Sequence, residues 1–340
     1  MNSPLLPDRH PEPDFFVCDV LDAAPKGDIG SMEHPIFSLS TKPDLRPRRY
    51  EHRGIVVEIK PSSDGLATVH DRDILIFCIS QIIRGMNEGR EVSQLVRFQA
   101  ADLLRATNRE TSGRGYQLLK SALERLAGTR ISTNIVTGGE ETFETFGLVE
   151  RAKVVRETRE GRMHEVEVKL SDWVFNAIKA QEVLTLSRDY FRLRKPLERR
   201  LYELARKHCG HQSEWKIGLT LLHRKCGSGS KSYEFKRLVG AIIAEDVEHS
   251  HMPDYSVRFC EDEKHVIFRS RGTVTHAETE DIRIPPLDAD VYETARALAP
   301  GWDVRVIEGE WRAWLTEPPR NAEAAFLGFC RKWYERRGAP

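Results

Sequence analysis

TSGRGYQLLKSALERLAGTRI, from Thr111 to Ile131, is a helix with two differently employed faces. Thr111 and Ser112 sit where side-chain oxygens can accept the orphan N–H groups of a first turn. Tyr116, Leu119, Ala122, Leu123 and Leu126 recur at i, i+3, i+4 spacing, which makes one apolar stripe for a core, and Gly128 stops the helix. The opposite face carries Arg114, Gln117, Ser121 and Glu124, flanked by Lys120 and Arg125. Such short or forked donors and acceptors read base edges in a major groove, although an isolated amphipathic helix with the same face is ordinarily just solvated. The neighbouring segments decide between the two.

Before this helix, residues 1–46 hold Pro4, Pro7, Pro11, Pro13, Pro25, Pro35 and Pro43 with few apolar clusters, the pattern of a mostly unfolded arm. Tyr50–Lys60 contains the strand-like GIVVEIK, Pro61–Gly65 a turn cluster and Leu66–His70 a second short run, so a hairpin is expected there. Asp71 is placed to cap DRDILIFCISQIIRGMNEG, whose Ile74, Leu75, Cys78, Ile82 and Ile83 form a broad buried face. A short strand at Leu95–Phe98 and a two-turn helix through Leu103 and Leu104 follow, closed by Asn108. Beyond the Thr111 helix come strands at Thr129–Val136 and Phe143–Arg156 with a Gly138-Gly139 turn, then HEVEVKL after the polar turn ETREGRM. Helix, short strand, helix, helix and a hairpin with a basic tip is the order of a winged helix, whose last helix enters the major groove. In that setting Arg156, Arg159 and Arg162 lie near a turn that can touch backbone phosphate.

The order then repeats. Trp173–Lys179 makes a linking helix, VLTL a strand, and SRDYFRLRKPLERRLYELARKHCG one long helix with Leu197, Leu201, Leu204 and Ala205 inward and a strongly basic exposed side. Trp215–Leu219 is a strand, LTLLHRKCG a short helix ended by Gly227, and SKSYEFKRLVGAIIAEDV an amphipathic helix with Phe235, Leu238, Val239 and Ile242 inward. SVRFC and KHVIFR close a second hairpin around Glu261–Lys264. On this second recognition helix Tyr233, Lys236, Arg237, Gly240 and Ala241 face outward, with Lys231 ahead of it.

The motifs HPIFSLSTKPD, Tyr50-Glu51-His52, RGYQLLKSALERLAGTRI, LSRDYFRL, KPLERRLYELARKHCG (Lys195 replacing an arginine) and GLTLLHRKCGS together resemble the plasmid replication initiator protein A family, over roughly His34–Gly272. The resemblance implies a tandem winged-helix initiator that binds repeated sites in a plasmid origin, works without chemistry of its own and meets a host helicase or initiator. It carries over the two recognition helices and the basic start of the long helix, Arg188, Arg192, Arg194 and Lys195.

The whole chain has 52 basic and 52 acidic side chains, but residues 1–46 hold 4 and 8 and residues 276–340 hold 9 and 12, so the middle has 39 against 32. A basic block between acidic flanks suits a nucleic-acid surface without requiring one. No apolar run of about 18 residues and no basic-then-apolar leader occur, so a cytoplasmic protein off the membrane is expected. Six cysteines without a C-x-x-C pair argue against a disulfide framework and a ribbon-type zinc site.

Three chemical readings compete with this one. CGSGSKS at Cys226 has Ser230 where a P-loop needs glycine and follows a helix rather than a strand. His249 and His251 with Tyr255 resemble a nicking nuclease, yet EHSHMPD reads as a loop. His208, Cys209, His211, His223 and Cys226 match no standard zinc spacing. Neither catalytic residues, metal nor cofactor are therefore expected.

The expected fold is α+β: a flexible arm (1–46), winged-helix domains at 47–172 and 173–275, and a small Trp-rich helical domain (276–340). The expected DNA-contacting residues are Arg114, Gln117, Lys120, Ser121, Arg125, Arg188, Arg192, Arg194, Lys195, Lys231, Tyr233, Lys236 and Arg237. The expected partners are double-stranded DNA at plasmid origin repeats, host replication proteins and a second copy of the chain. The apolar surplus in GIVVEIK and ILIFCISQII places that homodimer surface on the first unit. A transcriptional regulator with the same fold, or an origin-nicking enzyme, is the alternative.

Overall fold

Twelve of the sixteen residues of α1 (Arg72–Asn87) are buried, and a helix hidden all round has to lie between two bodies rather than on the outside of one. The computed structural model describes residues 3–11, 18–19, 36–52, 55–137, 140–156, 163–179, 184–209, 213–273, 287–314, 319 and 321–338. Residues 1–274 form one compact unit and residues 275–340 a second.

Within the first unit, α1 packs Ile74, Leu75, Cys78, Ile79, Ile82 and Ile83 into one core while Ile76 reaches into another. Of the apolar residues that suggested a dimer surface, Val57, Ile59, Ile74, Leu75, Cys78, Ile79, Ile82 and Ile83 fill the first winged helix, and Ile76 seats the second. Asp71 precedes α1, but its side chain does not cap the helix in the expected way, since its carboxylate turns back to Thr68. Thr68 Oγ1 accepts the Asp71 N–H (3.2 Å) while the Asp71 carboxylate accepts the Thr68 N–H (2.8 Å), a reciprocal capping box. Leu66, Ala67 and Val69 are consequently core residues at a helix entry, and the expected second hairpin strand at Leu66–His70 does not form.

After the two-residue β1 (Cys18–Asp19), β2 (Arg48–His52) pairs with β3 (Ile55–Lys60). Beyond α1 lie β4 (Leu95–Gln99), α2 (Ala100–Ala106) and α3 (Gly113–Gly128). The run from Phe143 to Arg156 is two strands rather than one. β5 (Arg130–Thr137) and β6 (Glu140–Gly147) join β2 and β3 in a four-stranded sheet ordered β2-β3-β5-β6. At Gly147-Leu148 the chain changes sheet, and β7 (Val149–Arg156) pairs with β8 (Met163–Leu170), which in turn pairs with β4. A glycine inside a strand pattern is a natural place for such a switch. The turn residues Gly138 and Gly139 and the tip arginines Arg159 and Arg162 lie outside the described residues.

Next, α4 (Asp172–Lys179) leads to β9 (Leu184–Thr185), which pairs with β1, and to a 3-10 turn at Arg188–Arg192. The expected long helix is broken there. Pro196 occupies the first position of α5 (Pro196–Cys209), and a residue before proline is driven out of the helical region, so helix cannot run through Lys195. β10 (Glu214–Gly218), α6 (Leu219–Cys226), α7 (Ser232–His249), β11 (Tyr255–Phe259) and β12 (His265–Ser270) complete the second module. Both modules have the same topology: β4-β8-β7 in one and β10-β12-β11 in the other, each placing the early strand beside the last strand of the wing hairpin. These are two winged helices in tandem, with the β2-β3-β5-β6 sheet added to the first.

The face of α5 expected to be basic and exposed is buried. Arg199 donates to Asp73 (2.7 Å) and to the carbonyls of Leu193 and Phe191, and Arg200 donates to Glu203 (3.2 Å) and the Lys225 carbonyl. Arg72 from α1 completes the pair with Glu203 (2.5 Å), Tyr190 donates its hydroxyl to the same carboxylate (2.6 Å), and Arg109 reaches Asp73 (3.0 Å). Asp73 and Glu203 are each 1% exposed, so this ionic group is the dry junction of the two winged helices. Burial works to raise the Asp73 carboxyl, and the guanidinium groups of Arg199 and Arg109 outweigh it, holding it below the usual carboxylate range.

His70, beside this junction, is pushed down to about 4 by burial and by Arg199. It is therefore neutral in the folded chain, and its contribution to stability is complete above its ordinary 6.5 and lost as pH falls toward 4. Melting curves from pH 7.5 to 4.5 should show a loss of about 1–3 kcal/mol that a His70→Gln variant does not share. Identical pH dependence in the two proteins would remove His70 from the account.

The second unit contains α8 (Ala289–Leu298), α9 (Val304–Trp314) and α10 (Ala322–Arg337). Ile307, Trp311, Phe326 and Cys330 are fully buried with Trp333 against them, so these aromatic residues serve a core of the unit's own.

Candidate nucleic-acid interface

The first helix-turn-helix is held by a close approach that only glycine allows. A Cβ on Gly115 would lie 1.9 Å from the Glu110 carbonyl oxygen, so the start of α3 sits directly on the backbone of the preceding turn. Ser112 caps α3 by accepting the Gly115 N–H (3.4 Å), and Asn108 takes a left-handed backbone at φ 55°. Leu119, Ala122, Leu123 and Leu126 are buried as their spacing requires. The opposite face presents Arg114, Gln117 and Lys120, all exposed, with Ser121 half-buried; Leu118, 55% exposed, stands among them. Lys120 lies 3.4 Å from Glu124 one turn on, a solvent-exposed pair that costs little to part.

Arg125 has a different place. Its guanidinium forms a bidentate pair with Asp71 (2.7 and 2.8 Å), which joins the end of α3 to the capping box of α1. Arg188 and Arg192 are likewise engaged inside the chain, and their partner is the N-terminal segment. Arg192 donates to the Leu6 carbonyl (2.9 Å) while the Leu6 N–H donates back to the Arg192 carbonyl (2.9 Å), and Arg188 donates to the His10 carbonyl. The other edge of that segment meets the turn before α3: Asn108 accepts the Arg9 N–H (2.8 Å) and donates to the Pro7 carbonyl (3.0 Å). Residues 3–11 thus clip the α2–α3 turn to the second module. Lys195 is paired with Glu198 (3.1 Å) and Glu245. Arg194 is exposed, and with Arg114 and Leu118 it lines a cleft of about 580 Å³ that Lys42 and Arg9 also border.

On α7, Phe235, Val239 and Ile242 face the core, which turns Tyr233, Arg237, Ala241 and Ala244 to solvent. Tyr233 is 71% exposed. Arg237 is held bidentately by Glu234 one turn back (2.9 and 2.7 Å), in water. Lys236 is half-buried and reaches Glu263 (2.8 Å) at the tip of the second wing. Lys231 is exposed at the start of the helix. Among the thirteen residues expected from the sequence, the exposed ones therefore gather on α3, on α7 and at Arg194, whereas Arg125, Arg188, Arg192 and Lys195 have partners within the fold.

The histidines considered as metal ligands are placed otherwise. His208 stacks on Trp215 and His223 on Phe235, each at 4.5 Å, and burial pushes the Cys226 thiol up to about 12. Cys209 Sγ faces the Phe268 carbonyl. His211 lies outside the described residues.

Residues 26–257 match the family model described as replication initiator protein A. The chain belongs to this family. A protein of Wigglesworthia glossinidia brevipalpis described as a putative replication protein is 38% identical over 251 residues, which cover 72% of this chain and 89% of that relative. Two crystal structures of domains 2 and 3 of RctB share the fold, at TM-scores of 0.54 and 0.51. They cover 70% and 71% of this chain and 95% and 96% of theirs, with 14% identity in both cases, so the likeness speaks for the fold. Membership gives this replication initiator a DNA-binding role in plasmid replication, and among its described residues no helix is long and apolar enough to cross a membrane.

Proposed function

We propose that the initiator recognises a specific duplex sequence in its plasmid origin by laying α3 and α7 into major grooves, and that it starts replication by assembling host replication proteins there, without chemistry of its own. One observation carries this reading: a single compact unit holds the same strand–helix–helix–hairpin arrangement twice, each copy turning the polar face of its last helix outward. The exposed ends of Arg114, Gln117 and Lys120 on the first helix and of Tyr233 and Arg237 on the second supply the forked donors, amide and aromatic ring that base edges and sugars accept. Repression of its own promoter would use the same two helices on a second duplex.

Footprinting on the plasmid's own origin tests the reading. Protection of repeated sites, with distortion of an adjoining A·T-rich segment, is expected of an initiator; protection confined to a promoter would favour the regulator instead.

Arg237→Ala is expected to cost about 1–3 kcal/mol on the specific site and to relax discrimination at one base pair. Its pair with Glu234 is exposed and easily exchanged for a base, so Glu234→Gln should leave specific binding intact or tighten it. Equal losses for Arg237→Ala on specific and random duplexes would reduce this residue to a phosphate contact.

A further inference from the structure

We infer that the strap leading into β2 and β2 itself, with the end of α6 and the loop that leads into α7, form a second contact for the phosphodiester backbone of duplex DNA, on the flank of the second recognition helix. The inference rests on the origin-binding reading above and adds a surface to it. Asp44 and residues 46–51 form one wall of a cleft of about 550 Å³, and Leu221, His223, Arg224 and Gly227–Gly229 form the other. The two walls are far apart in sequence and are joined by Arg48, which donates to the Asp44 carboxylate (3.1 Å), the Ser38 hydroxyl (3.1 Å) and the Gly227 carbonyl (3.5 Å).

Arg48 is therefore the fastener, and the neighbouring arginines are the open surface. The side chains of Arg46 and Arg49 are 84% and 60% exposed, and Arg224 faces them from the other wall, also exposed. Against these four guanidinium groups the walls carry two carboxylates, Asp44 and Glu51. Asp44 is spent inside: burial would raise it, but hydrogen bonds from Arg46 and Arg48 hold it at about 2, so it stays charged and neutralised. Arg49 meets Glu58 (2.9 Å) in water, where a phosphate can take over the partner at little cost. A concave wall of exposed arginines suits a chain of phosphate oxygens, since each planar fork can grip one group bidentately.

Position favours duplex backbone over a free anion. Lys231, exposed, follows Gly229 by two residues, and Tyr233 of the recognition face comes next but one. DNA seated along α7 would thus continue across Lys231 toward Arg224, Arg46 and Arg49. Contacts of this kind fix register and strengthen binding while reading no sequence.

The test uses the full chain with Arg46→Gln, Arg49→Gln and Arg224→Gln combined, titrated against an origin duplex and a scrambled duplex from 50 to 300 mM KCl. The slope of log K against log salt should fall by about 0.9 for each phosphate that is no longer neutralised, roughly 2 to 3 in all, on both duplexes alike, with their ratio unchanged. The Arg→Lys triple variant should restore most of the slope and checks that the charge, rather than the fold, is responsible. An unchanged slope in the Gln variant overturns the inference and leaves origin recognition standing, as does binding of inorganic phosphate that disappears in that variant without any change on DNA. Wild-type protein that prefers neither duplex would instead sink the origin-binding reading, while a reduced slope would still support the strap as a backbone contact.

Discussion

Asp73→Ala is expected to lower the stability of the protein by about 3–5 kcal/mol, the cost of stranding buried charges without a partner. Asp73 accepts from Arg199 at 2.7 Å and from Arg109 at 3.0 Å, and Arg199 is itself buried between α5 and α1. Removing the carboxylate leaves two guanidinium groups at the junction of the winged helices with backbone carbonyls in place of a charged partner, those of Leu193 and Phe191 for Arg199 and that of His70 for Arg109. Urea unfolding at pH 7 reads the loss directly. A second variant separates charge stranding from simple loss of packing: Asp73→Ala combined with Arg199→Met, which removes the carboxylate and its more deeply buried partner and leaves only the partly exposed Arg109, should recover a substantial part of the deficit. A single variant within about 1 kcal/mol of wild type would show that the junction is held by Ile76 and its apolar neighbours instead.

The same junction limits how the chain can be divided. A fragment beginning at Trp173 would retain Arg199, Arg200 and Glu203 while losing Asp73, Arg72 and Ile76, so the second winged helix is expected to need the first for its stability.

Gly115→Ala is expected to reach or exceed the upper end of the usual 1–3 kcal/mol for overpacking, and to weaken DNA binding even below the melting temperature. The new Cβ would lie 1.9 Å from a backbone oxygen, where no rotamer change can relieve it. The turn between α2 and α3 must open, and opening it re-aims Arg114, Gln117 and Lys120 together. Melting curves and binding to the origin duplex, measured on the same samples, should both change. Gly113→Ala is the control, because nothing lies within 4 Å of a Cβ built there. Full affinity in Gly115→Ala would mean that α3 does not have to sit where it does to bind DNA.

Local periodicity is a sufficient guide where partners lie close along the chain. The stripe of α3 is an example: Leu119, Ala122, Leu123 and Leu126 face the core because i, i+3 and i+4 neighbours share a side whatever surrounds them. The polar face of α5 defeats the same logic. Arg199 and Arg200 look like solvated charges until Asp73, 126 residues earlier, and the Lys225 carbonyl are brought to them by the fold. Helical phase places a residue on a face and says nothing about what covers that face. Two other differences had signals that were present in the sequence: Pro196 forbids a helix through Lys195, and Gly147 marks the point where one apparent strand becomes two. The clip made by residues 3–11 had none, since backbone carbonyls of Leu6, Pro7 and His10 do most of the bonding and carbonyls are the same in every sequence. The strap arginines lay in view as Arg46, Arg48 and Arg49, but only folding sets Arg224 opposite them.

The most direct measurement of origin recognition is a competition experiment at physiological salt, with a labelled origin duplex bound by the full chain and displaced either by the same duplex or by a scrambled one of equal length and composition. Reading of base edges by two recognition helices predicts that about 10³-fold or more of the scrambled competitor is needed for equal displacement. Equal displacement by the two competitors would mean that the protein holds DNA by its phosphates alone, and would contradict the account.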